Sequence, residues 1–181
     1  KSIAPVRAAM GVRTVFNILG PLTNPAAPPF GLLGAYSPVM AKLMAESLAG
    51  MPHVRRCFVV HGEPGWDEAT PVGKFELFDV RQGKVHHETR DPRDFGLARC
   101  KPADLAGGDA ADNAAALEAV LEQRDRGPHR DALVLGVGLL LEATGRAKSC
   151  GAGIKLASDG LAAGQGVRLL RQLRAFSDGI A

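Results

Sequence analysis

The sequence predicts an α/β domain in which helices flank a mixed, mostly parallel sheet that includes one antiparallel hairpin. Residues 30–61 have the pattern strand, helix, strand, which is typical of a right-handed parallel βαβ unit. Residues 74–90 alternate in hydrophobicity around a Gln-Gly turn, as in a β-hairpin. The rest of the chain is mainly helical, and no repeat or linker divides the 181 residues, so we expect one domain.

The βαβ unit has clear boundaries. Residues 30–36 form an apolar run that predicts a buried strand, and Ser37 with Pro38 has the residue types of an N-cap and first helical position. The helical stripe that follows ends at Gly50, and residues 55–61 form the second apolar run. These two strands should therefore be parallel neighbours in the sheet.

The later elements are predicted from caps and periodicity. Residues 74–80 and 84–90 form the hairpin arms, and residues 91–97 form a capped turn. Asp109 or Asp112 caps a first helix, and the almost wholly apolar residues 131–144 indicate a buried helix. Two further helices are expected at about residues 152–163 and from about Val167 to Gly179.

Composition excludes several classes of protein. The net charge is +3 and the basic residues are dispersed among acids, so a nucleic-acid interface is not expected. No run of about eighteen apolar residues is present, which predicts no transmembrane helix. No signal peptide is recognisable, and three widely spaced cysteines fit a reducing compartment better than a disulfide framework. We therefore expect a cytoplasmic protein.

The adjacent carboxylates of Asp67 and Glu68 are the main candidate site. They follow the second strand, which breaks at Gly62 and turns through Pro64-Gly65. Ligands of open α/β sheets bind beyond the carboxyl ends of the strands, and Mg²⁺ typically takes one or two carboxylates plus substrate phosphates. The alternative is a solvated acidic turn, which is the commoner explanation for so short a motif.

Other candidate residues carry weaker signals. His61 at a strand end is more typical of a structural role. Gly107-Gly108-Asp109 could be a phosphate loop, but it lacks the Walker lysine and serine and follows no clear strand, which favours a loop with an N-cap. Arg7 and Arg13 could clamp a carboxylate, although most arginines only cover surfaces. No pattern of a catalytic nucleophile is visible.

Several motifs together resemble a known family. In chain order they are Pro5-Val6-Arg7, residues 11–25 with Gly20-Pro21-Leu22-Thr23-Asn24-Pro25, residues 32–38, Val60-His61-Gly62 and Gly65-Trp66-Asp67-Glu68. This order resembles the anthranilate phosphoribosyltransferases of the tryptophan pathway, which share their fold with pyrimidine nucleoside phosphorylases. The resemblance continues through residues 94–97, 107–110 and 113–114, so it covers most of the chain.

The resemblance implies a reaction and a set of site residues. Ribose 5-phosphate would pass from phosphoribosyl pyrophosphate (PRPP) to the amine of anthranilate, with release of pyrophosphate and with Mg²⁺ as cofactor. Asp67 and Glu68 match the family's metal-binding pair, and Arg7 matches the arginine that engages the anthranilate carboxylate. Gly20 and Pro21 would shape the same pocket. Such catalysis relies on positioning and electrostatics, so no residue is named as a nucleophile.

Departures from the family define the remaining expectations. The family's N-terminal helical domain and its GTGGD loop have no counterpart here, so residues 1–181 are expected to be the C-terminal α/β domain of a longer, homodimeric protein and inactive alone. Trp66, Gly136 and Gly31 replace the leucine, asparagine and glutamine that are common in the family. Two alternatives stay open: a related phosphoribosyltransferase or phosphorylase with another aromatic or nucleobase acceptor, and a non-catalytic paralogue that binds a ligand or nucleic acid.

Overall fold

A computed structural model describes residues 19–20 and 22–179, in which helices pack on both faces of one sheet. Arg7, Arg13 and Pro21 lie outside the described residues. The strands are β1 (Phe30–Gly34), β2 (Arg56–Gly62), β3 (Phe75–Arg81) and β4 (Lys84–Arg90). The helices are α1 (Pro38–Ala49), α2 (Ala110–Leu121), α3 (Pro128–Ala143), α4 (Cys150–Ala162) and α5 (Gln165–Asp178), with short 3₁₀ turns at Pro92–Phe95 and Pro102–Leu105. None of these helices combines the length and apolar character that a membrane crossing requires.

The sheet has the order β1-β2-β3-β4 and is mixed, as expected. β1 and β2 are parallel and are joined through α1, which confirms the βαβ unit. The β3–β4 hairpin is also confirmed, and its turn residues Gln82 and Gly83 both have positive φ angles of 53° and 70°. That geometry matches the twist of the flanking strands.

The expectation of a mostly parallel sheet needs correction for the described strands. Only the β1–β2 pairing is parallel, whereas β2–β3 and β3–β4 are antiparallel. A parallel return requires a crossover of a dozen or more residues, usually a helix. Residues 63–74 between β2 and β3 contain no helix, and they carry prolines at positions 64 and 71. The chain therefore folds back beside β2 in the antiparallel direction.

Each face of the sheet is covered by its own apolar cluster. On one face, Met44, Ala45 and Leu48 of α1 pack against a cluster that includes Val59 and Phe78. On the other face, helices α3 and α4 pack against β2 and β3, with a fully buried core of Phe58, Phe75, Leu77, Leu135 and Leu139. Burying both faces explains why β2 is an apolar run rather than an alternating one.

A buried charge network joins the sheet to α3. Arg56 donates two hydrogen bonds to Asp79, at 3.0 and 2.8 Å, and one to the backbone oxygen of Glu142 at 3.0 Å. Arg90 donates two hydrogen bonds to the Glu142 carboxylate, at 2.7 and 3.1 Å. Burial lowers the pKa of Arg90, but its ion pairs with Glu142 and Glu88 outweigh burial and raise it. The guanidinium groups of Arg56 and Arg90 both lie over the ring of Phe58. The network fixes the C-terminal end of α3 on the sheet.

The predicted caps are found where the sequence indicated them. The Ser37 hydroxyl accepts from the backbone of Met40 at the start of α1, and the Asp91 carboxylate accepts from the backbone of Arg93. Asp109, rather than Asp112, is the N-cap of α2. Helix α3 begins at Pro128, earlier than its apolar run, because Pro at the first helical position needs no hydrogen-bond acceptor for its nitrogen.

Candidate functional site

A cleft of about 860 Å³ lies at the carboxyl ends of the parallel strands β1 and β2. One wall comes from the ends of these strands and from residues 67–69. The facing wall comes from residues 105–108, α2 and one side of α3. Much of the lining is apolar and includes Leu105, Leu117, Leu133, Val137 and Leu140, while Asp67, Glu68, Asp112, Asn113 and His129 supply charged or polar groups. A mostly apolar cleft with a few polar groups is typical of a small-molecule site.

Two glycines bring the backbone of the acidic pair against the strand ends. A Cβ atom added at Gly34, the last residue of β1, would lie 1.6 Å from the backbone oxygen of Asp67. A Cβ added at Gly62, the last residue of β2, would lie 2.2 Å from the backbone oxygen of Glu68. No side chain fits at such distances. The position of Asp67 and Glu68 is therefore set by close backbone packing.

The chain on either side of the acidic pair is also anchored. Gly62 and Trp66 exchange backbone hydrogen bonds of 2.9 and 2.8 Å across the turn. Gly65 adopts a φ of 134°, a conformation that favours glycine. Ala69 and Thr70 immediately after the pair are buried. A rigid backbone thus presents two side chains that are themselves exposed.

The carboxylates of Asp67 and Glu68 are available for a ligand. They form no hydrogen bond or ion pair with any other residue that the structure describes. Across residues 19–20 and 22–179, no three His, Cys, Asp or Glu side chains are grouped closely enough to hold a metal ion. A cation at this pair would therefore need oxygen ligands from a substrate or from water to complete its coordination.

The facing wall contains the Gly107-Gly108 segment. The Asn113 amide brackets Gly108, accepting from its nitrogen at 3.0 Å and donating to its oxygen at 3.1 Å. A Cβ added at Gly108 would lie 2.4 Å from a carboxylate oxygen of Asp112, so this loop packs tightly on the first turn of α2. The sequence prediction of a loop with an N-cap is confirmed, because Asp109 accepts from the backbone of Ala111 and Asp112.

The structure adds cleft residues that sequence reasoning did not single out. Asp112, Asn113 and His129 line the wall opposite the acidic pair, and His129 is held by Asp125, 3.2 Å from its Nδ1. The family pattern at residues 107–110 and 113–114 signals one of them, Asn113, but nothing in the local sequence shows which wall this segment forms. His129 has no sequence signal apart from its place near the start of a helix.

Two other residues that the sequence suggested, His61 and Gly20, are not among the described residues that line the cleft. His61 is half-buried, and its Nδ1 is 2.8 Å from the backbone oxygen of Ala35, which fits a structural role. A carbonyl oxygen only accepts, so Nδ1 carries the proton. Gly20 is exposed and is not among the described residues that line the cleft. Its assignment to an acceptor pocket stays a prediction.

These features define an α/β domain with a cleft where two parallel strands end. One wall of the cleft carries a carboxylate pair without a partner among the described residues. A family model described as "Glycosyl transferase family, a/b domain" matches residues 1–167. The chain belongs to that family.

Named relatives agree with this assignment. An anthranilate phosphoribosyltransferase of Desulforudis audaxviator is 41% identical over 172 residues, which are 95% of this chain and 49% of that protein. The crystal structure of anthranilate phosphoribosyltransferase from Thermus thermophilus matches with a TM-score of 0.85 and 40% identity, covering 96% of this chain and 51% of the other. The Saccharomyces cerevisiae enzyme in complex with PRPP and Mg matches with a TM-score of 0.84 and 28% identity, covering 93% and 48%. The chain thus spans about half the length of these relatives.

Proposed function

We propose that these residues form the α/β domain of an anthranilate phosphoribosyltransferase, which transfers the phosphoribosyl group of PRPP to the amine of anthranilate and releases pyrophosphate. The observation that carries the proposal is the rigidly held, exposed Asp67-Glu68 pair at the edge of a large cleft. Relatives of about 40% identity that carry this enzyme name support it. Because the chain covers about half of each relative, the rest of the active site would come from further chain.

Asp67 and Glu68 are the residues that would hold Mg²⁺. Two adjacent carboxylates without a described partner suit a hard cation, and PRPP would supply further oxygen ligands. The bound ion would offset the negative charge that develops on the pyrophosphate leaving group. A relative whose structure contains both PRPP and Mg supports the use of Mg²⁺ together with PRPP.

The remaining roles are binding and orientation. Arg7 would pair with the anthranilate carboxylate, and Gly20 with Pro21 would shape the pocket around its ring. The apolar side of the cleft, including Leu133 and Val137, would exclude water from the reacting atoms. No covalent intermediate on the enzyme is required, since holding amine and ribose in contact supplies much of the rate enhancement.

The test is steady-state kinetics on the full natural protein, following the loss of anthranilate fluorescence while Mg²⁺ is varied. The double substitution D67N/E68Q keeps the side-chain shapes but removes both charges. We expect a higher Mg²⁺ requirement and roughly a hundredfold lower kcat, equivalent to about 3 kcal/mol of lost charge stabilisation. The matched control is E46Q/E122Q, which neutralises two exposed carboxylates outside the cleft and should leave the kinetics unchanged. Wild-type kinetics for D67N/E68Q would refute the metal assignment.

One observation keeps a different acceptor as a second candidate. Gly136 lines the cleft, and no heavy atom lies within 4 Å of the position that its Cβ would occupy. The cleft is therefore wider here than it would be with the asparagine that is common in the family. Comparing kcat/KM for anthranilate, substituted anthranilates and free nucleobases would decide between the acceptors. A nucleobase preferred over anthranilate would favour the alternative enzyme of the same fold.

The proposal also covers the oligomeric state and the cellular compartment of the full natural protein. We propose a homodimer in the full natural protein, as the resemblance implies, and sedimentation equilibrium would measure it. We also propose a cytoplasmic location, supported by the three cysteines, which are all free thiols. Turnover by residues 1–181 in isolation would contradict the idea that the active site needs further chain.

A further inference from the structure

A second concavity, which we call the basic pocket, lies at the end of the sheet opposite the Asp67-Glu68 cleft. It surrounds the start of β2 and the β3–β4 turn, and its volume is about 450 Å³. Its lining consists of Arg55, Arg56, Arg81, Gln82, Lys84 and His86. Four of these residues carry a full positive charge at neutral pH and none is acidic. The strong local charge contrasts with the dispersed charge of the rest of the chain.

Strand register aligns three of the cations in one row. Arg56 of β2 lies directly opposite Arg81 of β3, and Arg81 lies directly opposite Lys84 of β4. Residues that face each other across paired strands project from the same face of the sheet, so the three side chains emerge together. Like charges in such positions destabilise the sheet. The ion pair with Asp79 accounts for Arg56, but no described contact accounts for Lys84 at the other end of the row.

A buried carboxylate holds the two arginines of the row near each other. Asp79, only 6% exposed, accepts two hydrogen bonds from Arg56 and lies 3.5 Å from Nε of Arg81. Asp79 is thus shared between two guanidinium groups, and the second carboxylate near Arg56, Glu142, is itself shared with Arg90. The side chains of Arg55 and Lys84, both exposed, form no hydrogen bond or ion pair with another described residue. The basic pocket therefore keeps a net positive charge that its own protein environment does not compensate.

We propose that the basic pocket binds a small phosphate-bearing anion, independently of the cleft where the carboxylates lie. Guanidinium groups bind phosphate oxygens through paired, charge-assisted hydrogen bonds, and an ammonium group adds a compact point charge. The volume is in the range of small-molecule sites, whereas an acidic protein partner would need a broader and flatter surface. Arg56 already donates to Asp79 and Glu142, so the donors would come from the other cations of the basic pocket. Asp79 holds Arg81 from one side, which would lower the entropic cost of binding such an anion.

Inorganic pyrophosphate is the probe that tests the proposal. Isothermal titration of the full natural protein is run with EDTA and without added metal, so that metal-dependent binding at Asp67 and Glu68 does not contribute. The test variant is R55A/K84A, which removes two cations that have no described partner and leaves the Arg56–Asp79 pair intact. The control R124A/K155A removes two other exposed cations, each paired with a surface carboxylate, that lie outside the basic pocket.

We expect pyrophosphate to bind measurably to the wild type, to R124A/K155A and to D67N/E68Q. Its affinity for R55A/K84A should be at least about tenfold lower than for the wild type. Affinity should also fall as sodium chloride is raised. Circular dichroism and melting temperature verify that each variant is folded. Equal binding by R55A/K84A would overturn the proposal, as would no binding to the wild type or binding that disappears in D67N/E68Q. Because the basic pocket and the cleft are tested by different variants, failure here leaves the proposed transferase activity untouched.

Discussion

Gly136 and Gly138 occupy the same turn of helix α3, yet alanine should stabilise the protein at Gly136 and fail to stabilise it at Gly138. Glycine inside a helix costs about 1 kcal/mol relative to alanine, so each residue calls for a structural reason. Gly138 has one, since an added Cβ would lie 2.7 Å from Cγ1 of Ile154 and 2.9 Å from its backbone nitrogen. Around Gly136 the same Cβ would meet no heavy atom within 4 Å.

The magnitudes follow from these distances. For G136A, the helix gains about 1 kcal/mol of propensity at no steric cost, which corresponds to a rise in Tm of roughly 2–4 °C for a chain of this size. For G138A, the new methyl group meets the backbone of Ile154 and the backbone oxygen of Cys150, 3.0 Å away, and neither can rotate aside. Overpacking costs about 1–3 kcal/mol, which exceeds the propensity gain or at least cancels it.

The assay is urea unfolding followed by circular dichroism, with the free energy of unfolding taken from the midpoint at unchanged slope. Both variants change the unfolded chain identically, so the difference between them reports the native state alone. The propensity gain is common to both variants, so we expect G136A to be more stable than G138A by the overpacking cost of about 1–3 kcal/mol. Equal shifts for the two variants would refute the argument that α3 and α4 approach closely at Gly138 while Gly136 borders open space.

Two further predictions concern charged residues near the end of the hairpin. E142Q should lower the free energy of unfolding by about 3 kcal/mol, because it leaves the buried Arg90 guanidinium without its bidentate partner. E88Q removes the exposed carboxylate on the same arginine and should cost less than about 1 kcal/mol in the same denaturation experiment. Hydrogen bonds from Arg93 hold the pKa of Asp91 down to about 2, so its stabilising contribution is complete above about pH 4 and is lost as the pH falls towards 2. D91N, which can still cap the turn, should flatten the decline in stability over that interval; a decline as steep as that of the wild type would contradict this origin.

The helices and strands could be predicted from the sequence, but the pairing of β3 with β2 and the far wall of the cleft could not. Apolar runs, caps and the Gln82-Gly83 turn predict the βαβ unit and the hairpin because each signal is local. The prolines and the missing helix of residues 63–74 argue against a parallel crossover, but the edge of β2 on which β3 pairs depends on tertiary packing. The facing wall of the cleft is missed for the same reason: Asn113 and His129 are far apart in sequence from Asp67, and only tertiary packing brings them to one cavity.

The Asp67-Glu68 pair shows what geometry adds to a short motif. A solvated acidic turn would tolerate a mobile backbone, and nothing would require its neighbours to be glycine. Here Gly34 and Gly62, from two different strands, both leave room for the backbone oxygens of the pair. Each glycine carries a conformational cost in a strand, which the protein accepts where another segment must approach closely. The two carboxylates nevertheless stay exposed and without a described partner, and this precise placement of the backbone supports the proposal that they hold a ligand.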